Sequence, residues 1–343
     1  MRKKTNDRVR ELIKKGHKAP FYKSVQPMLA TLVDKPFDKV GWTYEVKWDG
    51  YRAVAFLNKD IVEIKSRNDK SFNIKFYPVY EALKTLKLNV IIDGEIVVVN
   101  EKGTSQFNAL QNWRSEADGN LLFYIFDILW YDGIDIKSLP LIERKEILSE
   151  IIDENSIIRL SNNFDTSGIS FLETARKMGL EGIMAKKKSS PYTVGRRTTD
   201  WLKIKANKRQ EVVIGGYTIN EGTNKGFSSL LVGVFDHGNL IYTGKIGTGY
   251  NSKMQSDMLK QFGEYVIDDS PFVIKPDVNK PSRFRPNPPH AKVIWLKPVL
   301  ICEVSFSEMT PDGIMRHPSF EGMRNDKEAK DVVLEKDNKL EDL

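Results

Sequence analysis

Eight residues, Glu45-Val46-Lys47-Trp48-Asp49-Gly50-Tyr51-Arg52, set a lysine amine between two carboxylates, with a glycine and an arginine just beyond. An amine held against a pocket wall becomes a nucleophile once its pKa is lowered by neighbouring cations or by desolvation. The competing reading is a surface hairpin with an ordinary ion pair, because Lys-x-Asp-Gly is too short to be specific alone. Trp42, Tyr44 and Val46 alternate before the lysine, and a strand is expected from Tyr51 to Leu57. The local prediction is strand, tight turn at Asp49-Gly50, strand.

Further strands are predicted over 61–66, 89–99, 182–187 and 201–205, and an almost wholly apolar, buried one over Leu121–Leu129. Helices are predicted near 76–87, over 140–152 with Glu143, Arg144 and Lys145 on the exposed side, and over 168–179. Residues 24–40 read as a loop leading into this first domain. A short polar link at 206–210 precedes a change of texture. Short β-like runs (Val212–Thr218, Leu230–Asp236, Leu240–Ile246, Leu300–Phe306) then predict a small β-barrel, interrupted by a basic, proline-rich loop at 280–292. From about residue 328 the tail is expected to fray or form a short helix.

The 343 residues suffice for two domains with their own cores. The single cysteine, Cys302, excludes an intrachain disulfide and fits a reducing compartment. No apolar run has the length of a membrane span and no secretory core opens the chain, so a cytoplasmic protein is expected. Residues 1–23 carry nine Lys or Arg against Asp7 and Glu11, which accounts for the whole net charge of +7. Such an arm suits a polyanion like nucleic acid; equally, Val9, Leu12 and Ile13 suit a helix docked on the body. Four scattered histidines give no zinc-site spacing.

Seven short motifs stand in one order: Lys47-Trp48-Asp49-Gly50, Ser66-Arg67-Asn68, Asp93-Gly94-Glu95, Tyr124-Ile125-Phe126-Asp127, Glu181-Gly182-Ile183-Met184-Ala185-Lys186, Trp201-Leu202-Lys203-Ile204-Lys205 and Arg324-Asn325-Asp326-Lys327. In this order they resemble the motifs of covalent nucleotidyltransferases, specifically ATP-dependent DNA ligases. Phe107–Gln111, Gly244–Gly249 and Arg316–Phe320 are similar to the ligase module of bacterial non-homologous end-joining enzymes. The resemblance implies an α+β chain: a basic arm (1–23), an ATP-grasp-like adenylation domain (24–207), an OB-fold β-barrel (208–330) and a polar tail (331–343). Such modules are often fused to polymerase or nuclease domains, for which this length leaves no room, so a free-standing ligase is expected. One departure is Asp69, where many relatives carry glycine.

The resemblance also implies roles. Lys47 attacks the α-phosphate of ATP, with Asp49 in the catalytic set, and Lys203 and Lys205 lower its pKa and hold that phosphate. Glu45 reads the adenine amino edge, Phe126 stacks on the base, and Arg52 and Arg67 grip phosphate or AMP. Glu95 lies near the ribose and the metal, and Glu181 near the metal, which is Mg²⁺ with Mn²⁺ as the alternative. Arg324 and Lys327 reach the β- and γ-phosphates from a second domain that closes about the 206–210 link. The implied partner is nicked double-stranded DNA, with Ku or another end-joining protein left open. A monomer with no membrane association is expected, cytoplasmic and nucleoid-associated in a bacterium. Arm and barrel would together encircle the duplex. An mRNA guanylyltransferase, an NAD-dependent ligase, an RNA ligase and a DNA-end-binding protein with a decayed site are the alternatives. Against decay, Lys47, Glu95, Glu181, Lys203 and Lys205 are all present.

Overall fold

The strand Asn89–Val99 is buried at nearly every position because both of its faces are covered. In the computed structural model, which describes residues 6–59, 61–223, 226–281, 290–335 and 338–342, it lies at the centre of a seven-stranded sheet. Its neighbours are Tyr51–Asn58 on one side and Asn120–Tyr131 on the other, both antiparallel, and Ile61–Ser66 forms an edge. One face carries Ala53, Ala55, Ile92, Ile96 and Phe123 into a large apolar core. The opposite face carries Arg52, Asp93, Glu95, Tyr124 and Phe126, because side chains alternate along each strand.

A second, four-stranded sheet has the order Leu29–Leu32, Arg197–Lys205, Gly182–Lys187, Trp42–Val46. The two strands flanking Asp49-Gly50 therefore do not pair as a hairpin. Trp42–Val46 belongs to the second sheet and Tyr51–Asn58 to the first, so the Lys47 loop bridges two sheets. The expected loop at 24–40 likewise contains a strand, Leu29–Leu32, parallel to Arg197–Lys205.

The helix Asp7–Lys14 is capped by Asn6, whose side chain accepts from the Val9 amide at 2.8 Å. It buries Val9 and Leu12 in the first core, and Arg8 and Lys15 pair with Glu146 and Glu143 on the helix Leu141–Ile151. The docked reading of the arm is the one seen for these residues; residues 1–5 lie outside the described ones. On Leu141–Ile151 the expectation of an exposed charged side fails for two residues. Arg144 and Lys145 are both buried, because each meets a buried carboxylate of another element.

Residues Asn207–Glu335 form a separate unit, and the last residues of the chain return to the first. The second unit is an antiparallel sheet ordered Asn239–Ile246, Ser229–Asp236, Arg209–Asn220, Ala291–Ser305, Val266–Ile267, with Ser319–Arg324 also paired to Ala291–Ser305. Register shifts at Ile214/Gly216 and Val232/Gly233 coil it, as an OB-fold barrel requires. The helix Ser252–Phe262, which the reading of the sequence omits, packs Met258 and Phe262 into this core. Residues 282–289 of the proline-rich loop lie outside the described residues. Val332 is buried in the second unit, whereas Asn338 bridges to Val33 and Glu341 pairs with Lys35 in the first, so the expected tail divides in two. No helix among the described residues is long and apolar enough to cross a membrane.

Candidate active site

Register decides which motif side chains meet on the second sheet. Trp201 stands opposite Lys186, Lys203 opposite Met184, and Met184 opposite Glu45. Directly opposed residues share a face, so Glu45, Met184, Lys186, Trp201 and Lys203 lie together, with Lys205 opposite Gly182 at the end of the same row. The other face, with Tyr44, Ile183, Ala185, Leu202 and Ile204, forms its own apolar core. Arg52 lies over the rings of Phe126 (4.7 Å) and Trp201 (5.8 Å), which joins the polar face of the first sheet to this row.

Lys47 follows the strand Trp42–Val46, and its amide still donates to Gly182 O at 3.0 Å. Its ammonium pairs with Glu181 at the rim of this face. The expected lowering of the Lys47 pKa is not found. Burial does push it down, but the charge and hydrogen bond of Glu181, with Asp49 and Glu95 behind it, outweigh burial and raise it. The expectation counted the lysines at 203 and 205 and left out three carboxylates. Gly50 is required by close approach: a Cβ there would stand 2.1 Å from Ile96 O.

Around this rim Asp49, Glu95, Tyr124, Glu181, Met184, Lys203 and Lys205 are half-buried, and the floor is closed. Phe126 is only 8 % exposed, with Lys186 Nζ 4.5 Å above its ring as well as the Arg52 guanidinium. It thus forms part of the floor, while half-buried Tyr124 stacks on Trp48 at 3.6 Å and 10°. Arg52 is held bidentately by Asp93 (2.7 and 2.5 Å), which also accepts from the Tyr192 hydroxyl at 2.6 Å. That clamp fixes the direction of the guanidinium and keeps its pKa raised.

Glu45 is buried between two ammonium groups, Lys145 Nζ at 2.7 Å and Lys186 Nζ at 2.9 Å. Desolvation, with the positive charge of Lys145, brings Lys186 down to about 8 against the pull of Glu45 and Asp127. Lys145 lies outside every motif quoted above, and only an apolar partner strand with a buried Glu would have flagged it. Asp127 of the aromatic motif is also structural: Arg144 grips both of its oxygens at 2.7 and 2.8 Å, and neither residue is exposed.

Arg67 stands in the exposed turn that ends Ile61–Ser66. The neighbouring Asp69 explains its own departure from glycine: it sits at φ +61°, which Asp tolerates better than most residues, and Lys65 pairs with it at 3.1 Å. In the second unit Arg324 holds Asp326 through Nε and Nη2, both at 2.9 Å, and also faces Glu303 and Glu211. Lys327 pairs with Glu211 beside it. Glu211 and Glu303 lie outside the motifs and hold the last motif's cations in place.

Comparison with known proteins agrees with this geometry. The family description "ATP dependent DNA ligase domain" matches residues 27–205, and "ATP dependent DNA ligase C terminal region" matches residues 223–327. The multifunctional non-homologous end joining protein LigD of Pseudomonas aeruginosa is 33% identical over 330 residues, covering 94% of this chain and 38% of that protein. The LigD of Mycolicibacterium smegmatis is 35% identical over 314 residues, covering 90% of this chain and 39% of that protein. The chain therefore spans about two-fifths of these relatives. A solved structure of mycobacterial DNA ligase D, complexed with ATP and MES, superposes with a TM-score of 0.66 at 32% identity, covering 90% of this chain and 98% of that one. With motifs, two-sheet site and barrel domain in agreement, this chain belongs to the ATP-dependent DNA ligases.

Proposed function

We propose that the chain seals nicks bearing a 5′-phosphate and a 3′-hydroxyl in duplex DNA, in three transfers of which the first two pass through Lys47. The Lys47 ammonium first gives up a proton, for which its partner Glu181 is the nearest acceptor; the neutral amine then attacks the α-phosphorus of ATP, the bond to pyrophosphate breaks, the nitrogen sheds its second proton to solvent, and a lysyl-AMP remains. A 5′-phosphate oxygen then displaces the amine, which regains a proton, and DNA-adenylate forms. The 3′-hydroxyl attacks that 5′-phosphate, loses its proton, and AMP leaves. The observation that carries the reading is the half-buried Lys47 ammonium at the rim, paired with Glu181 and in the field of Asp49 and Glu95, at the head of the first motif.

In this reading Lys203 and Lys205 line the phosphate side, and Asp49 belongs to the catalytic set beside the amine. The base lies over the floor of Phe126, with Glu45 at its amino edge, Glu95 at the ribose, and Arg52 and Arg67 toward phosphate or AMP. Arg324 and Lys327 orient the leaving pyrophosphate. Glu95 and Glu181 are the residues that would hold a magnesium ion. The donors are hard oxygens, as that ion prefers, and since the described residues hold no cluster of three or more His, Cys, Asp or Glu, these two would be the protein's whole contribution. Such an ion, held by one or both carboxylates, would complete its shell with phosphate and water. It would supply charge neutralisation at the reacting phosphate; manganese is the alternative. A role in end joining is suggested by the names of the LigD relatives, and a Ku-type partner and a nucleoid location belong to the same proposal.

The test is the intact mass of ATP-stripped protein after incubation with ATP, GTP or NAD and magnesium, beside Lys47→Ala. The expected result is a gain of one AMP from ATP alone, absent in the variant and discharged by nicked duplex. A GMP adduct, an AMP adduct from NAD only, or no adduct at all would each overturn the reading.

A further inference from the structure

We infer that Lys145 and Ser161 are positioning residues that set the nucleobase selectivity of the adenylation step by fixing the carboxylate of Glu45. The inference rests on the reading of Glu45 as the group facing the purine edge.

Ser161 follows the strand Ile158–Leu160 and is a junction of four bonds. Its amide donates to Ile125 O at 2.8 Å, which ties it to the first sheet. Its carbonyl accepts from Lys145 Nζ at 3.0 Å. Its hydroxyl donates to Glu45 Oε2 at 3.3 Å and accepts from the Trp48 indole N–H at 3.2 Å. Lys145 in turn places its ammonium 2.7 Å from Glu45 Oε1, while Lys186 holds Oε2 at 2.9 Å. One hub therefore fixes both the carboxylate and the residue next to Lys47, whose ring is further immobilised on Tyr124.

The geometry at Oε1 gives this hub a chemical meaning. The Lys145 ammonium neutralises that oxygen's charge but lies off the line of a hydrogen bond, so Oε1 is buried without an aligned donor. A buried acceptor left unpaired is costly, and an ionised carboxylate between two cations only accepts. Glu45 is closed off, so a purine must shift its cover to reach it; one carrying an exocyclic amino group at this edge then adds an aligned donor to the Lys145 charge. A purine carrying a carbonyl there sets oxygen against oxygen. Without Lys145 the carboxylate keeps Lys186 and the Ser161 hydroxyl, both on Oε2, and loses the charge that holds Oε1 in place.

The experiment measures formation of the Lys47 nucleotidyl adduct by intact mass, at varied ATP or GTP with magnesium. The variants are Lys145→Met, Lys145→Arg, Ser161→Ala and Glu45→Gln, with thermal unfolding recorded for each. For Lys145→Met the KM for ATP should rise about tenfold with kcat within about twofold, and the preference for ATP over GTP should fall about tenfold. Lys145→Arg should recover most of both, and Ser161→Ala should shift the preference in the same direction. A selectivity unchanged in Lys145→Met and Ser161→Ala but altered in Glu45→Gln would overturn the hub and leave the base-edge reading intact. Selectivity unchanged in Glu45→Gln would overturn that reading itself. If Lys145→Met does not fold, Ser161→Ala decides, since it removes one hydroxyl and no charge.

Discussion

Replacing Arg144 by methionine tests how the floor of the site is held. The guanidinium makes four bonds, two to Asp127 (2.7 and 2.8 Å) and two to the carbonyls of Leu139 (2.5 Å) and Ser190 (2.9 Å), all out of contact with water. Arg144→Met leaves the Asp127 carboxylate buried, with the Ile128 amide as its remaining hydrogen bond at 2.8 Å and the more distant charge of Lys186 as a partial offset. Breaking a buried ion pair on one side costs about 3–5 kcal/mol, and each orphaned carbonyl adds about 1 kcal/mol. With a urea dependence of about 2–3 kcal/mol per molar, the total of about 5–7 kcal/mol should lower the first unit's midpoint by about 1.7–3.5 M. Five of the six tryptophans (42, 48, 113, 130 and 201) lie in that unit, so their fluorescence follows its unfolding. The double variant Asp127→Asn/Arg144→Met removes the stranded charge and should recover about 2 kcal/mol of the loss. A double variant as unstable as Arg144→Met would refute the claim that the cost is an uncompensated buried charge.

The other predictions follow from the same packing. Lys186 has its pKa lowered to about 8 by burial, against an ordinary 10.5, facing Glu45, Lys145, Asp127 and the rings of Phe126 and Trp201. The unfolded chain binds its proton more tightly, so wild-type stability relative to Lys186→Met should rise by about 2–3 kcal/mol as pH climbs from 8 to 10.5; a flat difference in urea titrations across that window would contradict the burial argument. In Gly50→Ala the new methyl meets Ile96 O, so the Lys47 loop must move, and adduct formation should slow on the order of a hundredfold; an unchanged rate by intact mass would show that the loop yields freely. Deleting residues 1–15 removes Val9 and Leu12 from the first core, so the thermal midpoint should fall as well as the salt dependence of DNA binding. An unchanged midpoint would show that the helix adds nothing to the core.

What the sequence conveyed was parity, and what it withheld was partnership. Alternation marks Ile61–Ser66, and apolar runs ended by turn residues delimit Asn89–Val99 and Gly182–Lys187, because periods, runs and their breakers are local properties. Leu29–Leu32 has only four residues and pairs with a strand more than 160 residues later, so nothing local marks it. The helix Ser252–Phe262 did leave a trace, Asn251 as cap and Met254, Met258 and Phe262 at four-residue spacing, which the surrounding β texture obscured. The same limit governs the site. Motif order says that Lys47, Glu181, Lys203 and Glu45 belong together, but the sign of a pKa shift depends on which opposite charges close on the amine. Three carboxylates from different elements do so at Lys47, and the amine is held charged. Arg144 and Lys145, read as solvent-facing charges on a helix, are instead buried cations under the site, because Asp127 and Glu45 wait for them on two different sheets. Burying such groups is costly unless each is paired and directed. Charged residues that a helix carries into a core are therefore evidence of a geometry being fixed, here that of the aromatic floor and of the carboxylate beside it.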